Sequence, residues 1–192
     1  MAVLADARAN RAVLVGVGDG GPTTITAAQQ HPETVVGLIL VNTFARLTEA
    51  EDYPAGISPE RLIANIDMST DHASDRDTSL VLRNHAPSVA GDQRFREWWE
   101  RAGRRGASPA TAAALWRVRY GADVRGLLST LSIPTLVIHR RKSRIVPLAH
   151  GAFLAEHIHN SRLVEIAGAD QTPFTEGAHD IADLITEFAT TR

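Results

Sequence analysis

The sequence predicts an α/β fold, a parallel sheet of about four strands flanked by helices, from three observations. Short apolar runs rich in β-branched residues recur at 12–17, 35–41, 134–139 and 162–166, as expected of strands buried on both faces. Helix-like stretches separate them, and glycines close the first run, as in a βαβ unit. With 192 residues, 44% of them hydrophobic, the chain can fill one core but hardly two, so a single domain over 1–192 is expected.

The first strand, AVLVGV (12–17), runs into Gly20-Gly21-Pro22, where proline suits the first turn of a helix extending to residue 30. VVGLILV (35–41) is the second strand. From residue 42 to about 132 the pattern changes to charged, helix-like segments at 59–66, 92–101 and 109–120, which reads as an insertion. Ser108-Pro109 is a good helix start, serine as N-cap and proline next. Alternation then resumes with a strand at 134–139, a helix at 149–157, a strand at 162–166 and a last helix. On that helix Ile181, Leu184, Ile185 and Phe188 share one face.

A formal net charge of −2 gives no electrostatic pull toward nucleic acid or an anionic membrane, which leaves a small molecule or another protein as partner. The chain has no cysteine, which removes disulfides, thiolate metal sites and cysteine nucleophiles together. No segment reaches the roughly 20 apolar residues of a membrane span, so a cytoplasmic location is the default. No cofactor is expected.

The first turn, Gly16-Val17-Gly18-Asp19-Gly20-Gly21, formally satisfies the dinucleotide pattern G-x-G-x-x-G. That fold also needs a carboxylate at the end of the second strand, but the strand ends Val41-Asn42-Thr43 with no acid until Glu49. The same turn has the shape of a nucleophile elbow, with Gly18 at the serine position. Gly16, Gly20 and Gly21 are explained by packing alone.

These motifs resemble α/β hydrolases, most closely the hydrolase-like module that some actinobacterial proteins carry ahead of a class III adenylate cyclase domain. The resemblance rests on RAVLVGVGDGGP (11–22), HPETVVGLILVNTFAR (31–46), DQRFREWWERAGRRGASPATAAAL (92–115), DVRGLLSTLSIPTLVIHR (123–140), RIVPLAHGAFLAEHI (144–158) and GADQTPF (168–174). It implies a partial hydrolase fold with a helical cap at roughly 43–121, beginning after the family's first four strands. It also implies that the serine, acid and histidine positions of the triad are Gly18, Ser143 and Gln171, and that Asp19 supplies an oxyanion backbone N–H. Gly18 has no nucleophile, Ser143 cannot hold a charge against an imidazolium, and Gln171 cannot shuttle a proton. The expectation is therefore a catalytically degenerate protein kept for ligand binding or interaction. The alternatives are an active hydrolase on an ester-like substrate using unconventional residues, or a nucleotide-binding domain using the glycine turn.

Phe95, Trp98 and Trp99, set among Arg94, Arg96 and Arg101, read as cap packing, with a pocket for a small apolar ligand as the functional alternative. Glu156, His157 and His159 are spaced wrongly for one metal and read as surface residues. His139 reads as a structural or rim residue, and His139-Arg140-Arg141-Lys142 as a solvated loop or an anion site. Residues 12–17 would present an unpaired apolar edge, calling for self-association, a partner strand, or a chain cut from a longer gene product.

Overall fold

The computed structural model, which describes residues 2–58, 60–61, 78–106 and 108–192, holds one parallel sheet with strand order β1-β2-β3-β4. The strands are β1 (Ala12–Val17), β2 (Val35–Val41), β3 (Thr135–Arg140) and β4 (Ser161–Ile166). The helices are α1 (Ala2–Asp6), α2 (Gly20–Gln30), α3 (Thr78–His85), α4 (Gln93–Gly106), α5 (Pro109–Gly121), α6 (Arg125–Leu128), α7 (Leu148–His157) and α8 (Ala178–Thr190), with a 3-10 turn at Pro87–Val89.

Successive strand residues face opposite sides of a sheet, so an all-apolar strand must be covered twice. Leu38 and Leu40 of β2 and Val137 of β3 pack with Ile25 and Ala28 of α2, Leu128 of α6 and Leu154 of α7. Ile39, Val41, Leu136 and Ile138 face the other way, onto Ile181, Leu184, Ile185 and Phe188 of α8. The stripe read from the last helix is thus the cover of the second face. A third cluster, Phe44, Leu47, Ile57 and Val146 with Tyr120, ties the insertion to the end of the sheet.

The insertion between β2 and β3 carries α3 to α6. Its expected helices at 92–101 and 109–120 are α4 and α5, while the one expected at 59–66 falls largely outside the described residues. Asp92 Oδ1 accepts from the backbone N–H of Arg94 and Phe95 at 2.8 and 3.1 Å, and Ser108 Oγ accepts from that of Thr111 at 3.2 Å, capping both starts.

One stretch departs from the sequence reading. Strand β3 extends to Arg140 and is buried throughout, so His139 and Arg140 are core residues and only Arg141 and Lys142 are exposed. Backbone groups make this burial tolerable. His139 Nε2 donates to the Val146 carbonyl at 2.9 Å, and the Arg140 guanidinium donates to the carbonyls of Ala167 and Glu176.

Within the described sheet β1 lies at an edge, pairing with β2 alone, and Val15 is 43% exposed. No described helix is long and apolar enough to cross a membrane.

Candidate active site at the β1–α2 elbow

At the head of β1 the chain reverses into α2 through Gly18, whose φ of +51° is left-handed and suits glycine. The turn is fastened to β2. Gly18 N–H donates to the Val41 carbonyl at 3.0 Å, and the Gly18 carbonyl accepts from Thr43 Oγ1 at 2.5 Å. A Cβ on Gly16 would come within 2.9 Å of Gly21 Cα, and one on Gly21 would overlap the Thr43 side chain, so close approach requires both glycines. Gly20 is different: a Cβ there would meet nothing within 4 Å, so packing does not account for that residue as the sequence reading held.

A Cβ on Gly18 would lie 3.2 Å from Gln171 Nε2. Gln171 is held at both ends, its backbone N–H donating to the His85 carbonyl at 2.6 Å and its Nε2 to the Asn42 carbonyl at 2.7 Å. Its Oε1 accepts from Ser143 Oγ at 3.2 Å. The three positions aligned with a triad by resemblance, Gly18, Ser143 and Gln171, therefore meet at one place. Asp19, the oxyanion candidate, precedes α2 directly and is exposed. Its N–H belongs to the first-turn donors that no intrahelical carbonyl can take.

Several residues of the site carry no sequence motif. Asn42, at φ +45°, donates through Nδ2 to the carbonyls of Asp170 and Gln171 at 3.2 and 3.3 Å and accepts from Arg140 N–H through Oδ1 at 2.9 Å. Its one signal is that asparagine tolerates the left-handed region. Asp170 is fully buried and latches the insertion to the Gln171 turn. Its carboxylate accepts from Ser88 Oγ at 2.5 Å, Ser88 N–H at 3.1 Å and Glu176 N–H at 3.2 Å. Burial pushes this carboxyl up, yet donors led by the Ser88 hydroxyl outweigh it and hold it below the usual carboxylate value. His85, whose Nδ1 lies 3.1 Å from the Val81 carbonyl, ends α3 beside Gln171.

The cap aromatics gather on the same side. Trp98 and Trp99 lie 5.2 and 6.4 Å from Phe95, and Trp98 meets the edge of Phe174 at 6.1 Å, three residues beyond Gln171. His157 is exposed and bonded to the Phe153 carbonyl, and His159 is exposed, both away from this cluster in sequence.

Residues 8–178 match the family model of the alpha/beta hydrolase fold. The chain belongs to the α/β-hydrolase family. A pimeloyl-[acyl-carrier protein] methyl ester esterase of Neisseria meningitidis serogroup C is 33% identical over 178 residues, 91% of this chain and 68% of that protein. A serogroup A protein of the same name is 32% identical over 91% of this chain, which spans 56% of its length. Among solved structures, a bromoperoxidase from Bacillus anthracis superposes with a TM-score of 0.81 at 22% identity, covering 98% of this chain and 70% of that one. An esterase from Exiguobacterium antarcticum gives 0.80 at 18%, with the same coverage. At those identities the structural matches speak for the fold alone.

The α/β hydrolase's curated relatives correct the main functional expectation. A catalytically degenerate protein is not what they support, since relatives matched over 91% of the chain are named as esterases. The error came from equating catalysis with three family side chains. The alternative of an ester-type hydrolase using other groups fits better, and the relatives are not named as modules joined to a cyclase.

Proposed function

We propose that this α/β hydrolase is a carboxylic-ester hydrolase whose nucleophile is water held at the β1–α2 elbow, with 43–121 as a cap above it. The observation that carries the reading is the elbow itself, a left-handed Gly18 whose missing side chain would point at Gln171 Nε2 from 3.2 Å. The esterase names of the relatives supply the substrate class.

Hydroxyls near the elbow are committed as donors: Ser143 to Gln171, Ser88 to Asp170 and Thr43 to the Gly18 carbonyl. Water takes the place of the Gly18 side chain and accepts from Gln171 Nε2. The ester carbonyl oxygen turns toward the first turn of α2, where the Asp19 N–H and the positive end of the helix dipole stabilise developing negative charge. The His85 imidazole, on the residue whose carbonyl receives the Gln171 N–H, is assigned the role of general base. It takes the proton as water adds to the carbonyl carbon, then returns it to the departing alkoxide, giving acid and alcohol. Phe95, Trp98 and Phe174 offer an apolar surface for the acyl chain.

The test is hydrolysis of methyl butyrate and a nitrophenyl butyrate, beside His85→Gln and a heat-inactivated sample. Loss of a general base predicts a fall of about 10²–10⁴ in turnover for His85→Gln. Wild-type turnover no greater than the inactivated sample would overturn the proposal.

A further inference from the structure

Trp116, Arg119 and Tyr120 lie three and four residues apart on α5 and so share a face of that helix. The Arg119 guanidinium lies over the Trp116 ring, 4.9 Å from its centroid, and Trp116 stacks on Tyr120 at 5.3 Å. Arg119 Nε stands 3.0 Å from Asp19 Oδ1. Because Asp19 directly follows Gly18, this ion pair brings the guanidinium within a side chain's reach of the elbow. The contact lacks hydrogen-bond alignment, so the buried Nε has no acceptor. The Tyr120 hydroxyl is likewise buried without a partner. It is close enough to Arg119 and Asp19 to feel both charges, while burial is the main reason its ionisation is pushed upward. Two unspent donors beside a proposed reaction centre, buried at a cost in free energy, call for an acceptor that arrives with the substrate.

We propose that Arg119 and Tyr120 form a carboxylate-recognition subsite at the elbow, so that the ester cleaved there is a half-ester carrying one free carboxylate. The inference rests on the esterase reading and names its substrate class. A planar guanidinium fork matches a carboxylate in two parallel bonds, and the phenol adds a third donor. Asp19 already offsets the charge of Arg119, so a singly charged group suits the site better than a dianionic phosphate. Arg119 is thus a specificity-determining residue, held in orientation by Asp19 and Trp116.

Monomethyl adipate and dimethyl adipate separate the possibilities, measured with wild type, Arg119→Met, Arg119→Lys and Tyr120→Phe. Wild type should favour the half-ester by about tenfold in kcat/KM, a factor one charge-assisted contact supplies. Arg119→Met should bring the ratio of the two substrates to about one through a raised KM, Arg119→Lys should recover part of it, and Tyr120→Phe should lose a smaller share. A ratio unchanged in Arg119→Met, or no preference in wild type, overturns the subsite. Calorimetric titration with adipate keeps this apart from the esterase reading. If no ester is turned over, that reading fails, and adipate binding that weakens about tenfold in Arg119→Met still upholds the subsite. Equal binding by both proteins, or none by wild type, overturns it.

Discussion

Gly18 occupies a left-handed backbone position with Gln171 Nε2 directly ahead of it. A side chain there meets conformational strain of about 1–2 kcal/mol, so Gly18→Ala should lower stability by that amount in thermal or denaturant unfolding. An unchanged midpoint would mean the elbow relaxes freely. His150 makes the clearest pH prediction. It is fully buried, with Nδ1 2.8 Å from the Tyr53 hydroxyl, and burial, seconded by neighbouring His139, lowers it to about 4. The unfolded chain takes up that proton near 6.5, so the unfolded state binds more protons between these values. Its contribution is complete above pH 6.5 and is lost as pH falls toward 4, on the order of 3 kcal/mol in all. Denaturant titrations across that window should show the loss, and His150→Gln should flatten the slope even though it lowers stability overall. Asp170 titrates in a separate range: its depressed value means that its contribution disappears only as pH falls below the ordinary carboxylate value.

Helix α5 shows how local signals and distant partners divide the work of one element. Its start was readable, because Ser108 followed by Pro109 is an N-terminal pattern, and the serine does accept from Thr111 N–H. Ser108→Ala should weaken α5 by about 1 kcal/mol, seen as faster hydrogen exchange confined to that helix. Exchange unchanged in α5 would show that packing of Trp116 and Tyr120 alone sets its stability. What α5 touches is not legible in the sequence, since no motif marks Arg119 and only the fold sets it against Asp19. Strand β3 taught the converse. A run of basic residues normally marks a solvated loop, but Arg140 lies inside because the carbonyls of Ala167 and Glu176 receive its charge.

In the whole molecule the sheet is the frame, and among the described strands β1 pairs with β2 alone. The sequence by itself determined the α/β class, the four strands and the apolar stripe of α8, because period and turn chemistry are properties of neighbouring residues, whereas Gly18, Ser143 and Gln171 are singled out by family resemblance. Only the tertiary structure decided that Asn42 braces the Gln171 turn, that Asp170 latches it to Ser88 and that Arg119 stands at the elbow. Asn42 bonds to a residue 129 positions away and Ser88 to one 82 away. No local pattern encodes such pairings, because they form only when the sheet brings distant strand ends together and leaves buried polar groups to satisfy one another.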